Sequence, residues 1–185
     1  EAGGDIPAAK KAYLKAITLD KNYSDAHLNL ANCHFELGEF EHALSEYHAA
    51  KDAKNLWAKA CLGICNVYSS LEKPKEIVNY LSSFKETDLD EKLLFTLALA
   101  YQKIYKFELA HTILLRITQE FPEYKSPVLD LVTSYCRMGK IETASSLLEE
   151  ADLNELLKLK SWFSLATILL KLHIYRPNFV HEFFQ

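Results

Sequence analysis

The fold is decided by residues 28–50, which read LNLANCHFELGEFEHALSEYHAA. Gly38 divides this stretch into two halves, and in each half the apolar residues fall three or four positions apart, as Ala43, Tyr47 and Ala50 do in the second. Such spacings place side chains on one face of a helix. The stretch therefore predicts two amphipathic α-helices that are joined by a tight turn at the glycine.

The same pattern recurs along the chain every 33 or 34 residues. The turn position is held by Gly4, Gly38, Glu72, Tyr105, Gly139 and His173. The fifth residue after a turn position is Ala9, Ala43, Ile77, Ala110 or Ala144. A small residue lets two helix backbones approach closely, and a helix pair of this kind buries its apolar face against the next pair. The period therefore predicts a stack of antiparallel helix pairs.

The motifs of these units resemble those of the tetratricopeptide repeat (TPR). The residues that carry the resemblance are Leu30, Ala31, Asn32, Gly38, Glu39, Phe40, Ala43, Tyr47, Ala50, Tyr101, Phe107, Ala110, Phe121, Pro122, Tyr135, Gly139, Ala144 and Ala151. The resemblance covers nearly the whole chain and implies an all-α fold, a right-handed α-solenoid whose first helices line a concave face. In the unit 58–90, Glu72 replaces the turn glycine, and Ile77 and Phe84 replace small residues. We therefore expect altered packing over residues 72–90.

We predict one array of units along residues 1–185. A half unit at 1–23 precedes the full units 24–57, 58–90, 91–124 and 125–158, and a partial unit at 159–185 follows them. A solenoid needs polar caps at its ends, and the apolar residues around Phe183 and Phe184 do not form one. We therefore expect either a longer array in a longer protein or ends that a partner or a second copy covers.

Several helix starts are marked by their residues. Pro7 and Pro74 come just after a turn position, and Pro127 comes where a first helix should begin. Proline is tolerated in the first turn of a helix, where its missing N–H has no partner to lose. Asp88 and Glu91 have the spacing of a capping box, so we expect a helix to start there.

Composition sets the class of protein. The 185 residues are 49% hydrophobic and 25% charged, and they include only 5 Gly and 5 Pro, which is few for a protein of many strands and turns. The net charge of −4 argues against a nucleic-acid partner. No apolar run approaches the roughly 20 residues that span a bilayer, and the first residues do not resemble a signal peptide. We expect neither nucleic-acid binding nor membrane insertion.

The chain lacks the sequence motifs of phosphate binding, nucleophilic catalysis and zinc proteases. Cys61 and Cys65 are four residues apart on one predicted helix, so they could be half of a metal site or core residues. Since there is no second pair of ligands, we expect packing. The four cysteines, which include Cys33 and Cys136, lie in apolar helical patterns, which favours reduced thiols and a cytoplasmic, intracellular location. We predict no catalytic residue, cofactor or metal site.

A row of apolar residues recurs on the first helices, two positions before the repeat leucine. Its members are Leu28, Leu62, Phe95, Leu129 and Phe163. The neighbouring residues of the expected groove are Asn29, Asn32, Lys59, Asn66, Leu99, Gln102, Asp130 and Thr133. Apolar area flanked by amides and hydroxyls can hold a peptide. The alternative is that the row packs within its own helix pairs.

Three functions follow from these observations. The first is a non-catalytic scaffold that binds a peptide or helix of a partner protein in its concave groove. The second is a structural segment of a large assembly that makes contacts, including self-association, through its ends or its convex face. The third is a regulatory or substrate-recognition region of an enzyme whose catalytic domain lies outside residues 1–185, which Asn32 and Asn66 suggest because they share one register position.

Overall fold

The computed structural model describes residues 5–123 and 128–150, and the regular secondary structure of this part of the chain is helical. The helices are α1 (Ile6–Leu19), α2 (Ser24–Glu36), α3 (Phe40–Ala50), α4 (Trp57–Ser70), α5 (Pro74–Leu81), α6 (Glu91–Lys103), α7 (Phe107–Glu120), α8 (Val128–Arg137) and α9 (Ile141–Glu150), with a 3₁₀ turn at Glu86–Asp88. The described residues contain no strand. The all-α fold of helix pairs is therefore confirmed.

The chain divides into two compact units, Glu1–Thr96 and Leu97–Gln185. In the first unit α1 packs on α2, α2 on α3, and α3 on α4. In the second unit α7 packs on α8, and α8 packs on α9. The limits of the individual repeats stay a prediction.

One turn geometry closes the four helix pairs of the described residues. The turn positions Gly38, Glu72, Tyr105 and Gly139 all have a positive φ, of 74°, 54°, 63° and 75°. At the first of them the Gly38 N–H donates to the Phe35 carbonyl at 2.9 Å, and the Glu39 N–H donates to the His34 carbonyl at 2.8 Å. The same two bonds recur at the other three turns. This is the Schellman motif, in which a left-handed residue ends a helix and satisfies its last carbonyls.

A left-handed φ predicts how substitutions at the turn positions change stability. Such a backbone costs a residue with a Cβ about 1 kcal/mol. We therefore expect Gly38→Ala to lower the free energy of unfolding by about 1 kcal/mol, although a Cβ there would meet nothing within 4 Å. Glu72→Gly should be neutral or stabilising by a few tenths of a kcal/mol. Urea denaturation measures both effects, and a stable Gly38→Ala variant would contradict the strain argument.

The core of the first unit joins α2, α3 and α4. The buried members of this cluster are Ala31, Ala43, Tyr47, Ile64 and Val67. The Tyr47 ring, which is 3% exposed, lies directly against the backbone of Gly63, where an added Cβ would come within 2.3 Å of the ring. The close approach of α3 to α4 therefore depends on a glycine in the middle of α4.

The helix pair α4–α5 departs from the others, as the sequence of residues 72–90 led us to expect. Its second helix has only 8 residues, whereas α7 has 14. Phe84 lies beyond the end of α5, and its ring meets the rings of Trp57 and Tyr80 edge-on at 5.2 and 5.3 Å. These aromatic contacts take the place of the close helix crossing that a small residue allows elsewhere.

The predicted helix starts are confirmed in part. Pro7 and Pro74 lie in the first turns of α1 and α5, and Pro127 lies outside the described residues. The capping box at Asp88 is wrong. Asp88 belongs to the 3₁₀ turn, and it is Asp90 whose carboxylate accepts a hydrogen bond from the Leu93 N–H at 2.9 Å. Because residues Glu86–Asp88 form the 3₁₀ turn, the residue that caps α6 is Asp90, two positions after the predicted Asp88.

Candidate functional site

The predicted groove residues of the first unit lie on the first helices α2, α4 and α6. Leu28, Leu62 and Phe95 hold the same register position, and all three are partly buried. Leu28 packs against the core that joins α2, α3 and α4. Each of these side chains therefore contributes to its helix pair and still presents some apolar surface.

The polar neighbours in the first unit are more accessible. Asn32, Lys59 and Asn66 are exposed, and Asn29 is partly buried. Asn32 accepts a hydrogen bond from the Tyr47 hydroxyl at 2.7 Å. Because this bond fixes the carbonyl oxygen of Asn32, its amide group is oriented to donate outward.

Several predicted groove residues of the second unit are buried in that unit or form hydrogen bonds within it. Leu129 is only 4% exposed and belongs to the core. Gln102 donates from Nε2 to the Asp130 carbonyl at 3.0 Å and to Ser134 Oγ at 2.9 Å. Thr133 donates from Oγ1 to the Leu129 carbonyl at 2.8 Å. Leu99 is partly buried, and Phe163 lies outside the described residues. The structure therefore gives this unit less open apolar surface than the sequence row suggests.

The side chain of Asp130 is a half-buried carboxyl in the first turn of α8. Burial raises its pKa from 3.8 to about 6, and a hydrogen bond from its own backbone opposes part of that effect. Taking a carboxylate out of water disfavours its charged form. At neutral pH the half-buried carboxylate of Asp130 is therefore ionised, and this lowers the free energy of unfolding.

The sign of the Asp130 shift predicts a pH effect. Below pH 3.8 the carboxyl is protonated in both the folded and the unfolded chain, and above about pH 6 the folded chain carries the full penalty. We expect Asp130→Asn to raise the free energy of unfolding by about 2 kcal/mol at pH 7 and by almost nothing near pH 3, about one pH unit below the unfolded pKa. Chemical denaturation at both pH values measures this. The exposed Glu142→Gln is the matched control, and an equal gain from Asp130→Asn at both pH values would contradict the assignment.

Three potential ligand residues meet at the turn between α2 and α3. They are the buried His34, the partly buried Glu39 and the exposed His42, and one ligand atom of each lies within 4.8 Å of the others. The His34 Nδ1 is hydrogen-bonded to Glu39 Oε2, and Lys10 Nζ contacts the same oxygen at 2.5 Å. Sequence reasoning missed this cluster. The sequence pattern that could have indicated it is His34, four residues before the turn residue Gly38, together with Glu39 and His42, one and four residues after that glycine.

Cys61 and Cys65 are both buried in the core and carry free thiols. Burial raises the pKa of both thiols, and that of Cys65 reaches about 12. The Cys61 sulfur lies 3.3 Å from the Tyr80 hydroxyl. A thiol with a raised pKa is a poor nucleophile and a poor metal ligand at neutral pH. Their surroundings are therefore those of core residues.

Among the residues that the structure describes, no helix combines the length and the apolar character needed to cross a bilayer.

Comparison with known proteins supports the repeat. The TPR repeat family model matches residues 2–38. None of the curated proteins compared with the chain matches it. The resemblance to TPR is confirmed by this match together with the fold, since the similar solved structures include TPR proteins.

Three of these structures show the likeness in fold. YrrB, described as a TPR protein with an unusual peptide-binding site, is 20% identical with a TM-score of 0.62, and the match covers 94% of this chain and 97% of YrrB. MamA is 17% identical with a TM-score of 0.69, covering 85% of this chain and 92% of MamA. The APC/C hetero-tetramer Cut9–Hcn1 matches at 18% identity with a TM-score of 0.57, and the chain spans 39% of that larger chain.

Proposed function

We propose that this protein is a non-catalytic scaffold whose first-helix face binds a peptide or helical segment of a partner protein. The observation that carries the proposal is the row Leu28, Leu62 and Phe95, which stays partly exposed on three successive first helices beside exposed amides. We call the surface of Leu28, Leu62 and Phe95 with Asn32, Lys59 and Asn66 the first-unit face.

The first-unit face has the chemistry that peptide binding requires. Leucine and phenylalanine side chains bury apolar area when a peptide covers them. The amides of Asn32 and Asn66 can hydrogen-bond the backbone of a bound segment, which carries a donor and an acceptor at almost every residue. The Tyr47 bond to Asn32 holds one amide in place before binding, which reduces the entropy lost on association. Lys59 adds a positive charge that favours an acidic residue in the partner.

The printed description of YrrB supports this proposal, because a TPR protein of similar fold and length has a peptide-binding site. The buried free thiols of Cys33, Cys61 and Cys65 support an intracellular location. The net charge of −4 supports a protein partner over a nucleic acid.

A second candidate is a segment of a larger assembly that makes contacts through its second helices. It is favoured by two leucines of α1, since Leu14 and Leu19 are 47% and 83% exposed. The likeness to part of the Cut9 chain, taken from a hetero-tetramer, is consistent with it. The two candidates place the contact on different helices, so one experiment separates them.

The experiment selects peptides from a displayed library on the immobilised protein and measures the affinity of the best one by fluorescence anisotropy. We expect Leu62→Asp to weaken binding at least tenfold, because a buried leucine contributes about 1.5–3 kcal/mol. Leu14→Asp is the matched control and should bind as the parent does. Circular dichroism establishes that both variants are folded. Equal binding by the parent and Leu62→Asp would refute the proposal, and loss with Leu14→Asp alone would favour the assembly.

A further inference from the structure

We propose that His34, Glu39 and His42 form a binding site for a divalent transition-metal ion, with Zn²⁺ as the best match, at the turn between α2 and α3. The site is distinct from the first-unit face and rests on none of its residues. Two imidazoles and one carboxylate are a ligand set that zinc accepts with a further position left for water.

The turn itself brings the three residues together. Gly38, with its φ of 74°, reverses the chain, and the Glu39 N–H then bonds the His34 carbonyl at 2.8 Å. Glu39 precedes α3 and His42 lies three residues further on, which is nearly one turn of helix, so their side chains share a face. The rings of His34 and His42 stack across the turn at 5.1 Å with an interplanar angle of 17°.

The ligand atoms need only a small movement to reach a metal ion. They lie within 4.8 Å of one another, whereas two ligands at about 2.1 Å from a tetrahedral zinc lie about 3.4 Å apart. His34 is buried at 6% exposure, and its Nδ1 already faces Glu39 Oε2, so a metal ion would take the place of the proton that joins these two atoms, and that proton would pass to solvent. His42 is exposed and can rotate toward these two residues without disturbing the core.

The charged groups at the site have opposite effects on metal binding: the carboxylate of Glu39 favours a cation, and the ammonium of Lys10 opposes it. Hydrogen bonds from Lys10 and His34 stabilise the carboxylate of Glu39. Lys10 and His34 both contact Oε2, and the carboxylate has a second oxygen, Oε1, with which to coordinate. The ammonium of Lys10 nevertheless repels a cation, so the lysine competes with the metal for Glu39.

Zinc binding is tested by isothermal titration calorimetry of residues 1–185 with Zn²⁺ near neutral pH in a buffer that does not chelate. We expect one Zn²⁺ per chain at this site. His42→Ala should weaken its binding by about tenfold or more. His48→Ala, which removes another exposed histidine of α3, is the matched control and should bind as the parent does.

Lys10→Met gives a prediction that a purely structural role of the cluster does not make. Removing the competing ammonium should tighten zinc binding, and thermal denaturation should show a larger zinc-dependent rise in Tm than for the parent. Circular dichroism without metal establishes that each variant is folded. The site does not exist if the parent takes up no Zn²⁺ at millimolar zinc, or if His42→Ala keeps the parent's affinity. Unchanged affinity in Lys10→Met would contradict the proposed three-ligand site, because the ammonium contacts the carboxylate that is expected to bind the metal.

Discussion

Gly63→Ala should lower the free energy of unfolding by about 3 kcal/mol, although it adds a single methyl group. The new Cβ would lie 2.3 Å from the ring of Tyr47, and that ring is buried between α2, α3 and α4. Overpacking of a close-packed core forces side chains and backbone to shift, at a cost of about 1–3 kcal/mol. The shift would also strain the bond from Tyr47 to Asn32, so we expect the upper end of that range.

A double-mutant cycle assigns this cost to the ring. In a Tyr47→Leu background the methyl group meets a smaller side chain, so Gly63→Ala should cost less than about 1 kcal/mol there. In a Tyr47→Phe background the ring stays, so most of the cost should remain, without the part that comes from the bond between Tyr47 and Asn32. Urea denaturation of the single and double variants measures the coupling. An equal cost of Gly63→Ala in the parent and in Tyr47→Leu would show that the clash is not the cause.

Ala43→Trp should destabilise the first unit by about 3 kcal/mol or more, because Ala43 has no exposed surface and sits where two helices cross. Ala49→Trp is the matched control, since this alanine of α3 is exposed and a large side chain there can extend into solvent. Thermal denaturation compares the two variants.

The same comparison in the second unit uses Ala110→Trp, at a residue with no exposed surface, and Leu109→Trp, at its exposed neighbour on α7. Ala110→Trp should lower Tm by several degrees or more, while Leu109→Trp should leave it nearly unchanged. If the buried and exposed variants of either pair denatured alike, the small residue would not define the helix crossing.

The turns could be predicted from the sequence because the repeat spacing is independent of any one side chain. Glu72 and Tyr105 hold turn positions by spacing alone, and both adopt the positive φ that glycine adopts at Gly38 and Gly139. The early end of α5 was less predictable. Phe84 packs on Tyr80, four positions before it, and on Trp57, 27 positions before it, and this long-range contact with Trp57 does not follow from local propensity.

The candidate site was predicted less completely than the fold. Register identifies the residues of the first helices, but it does not determine how much of each one a neighbouring helix covers. Leu62 and Leu129 hold equivalent positions, yet the first is partly exposed and the second is buried. The cluster of His34, Glu39 and His42 could not be predicted from helix periodicity at all, because it is assembled across a turn and not along one helix.

The repeated Schellman turn also bears on how the chain reaches its fold. Each turn is closed by hydrogen bonds between residues only three and five positions apart, as at Gly38 and Glu39. Contacts this local require little loop closure, and chains rich in them fold quickly. Hydrogen exchange during refolding should therefore show amide protection that appears one helix pair at a time. Helix α1 has no buried residue among its described positions, so its amides should exchange before those of the pair α2–α3.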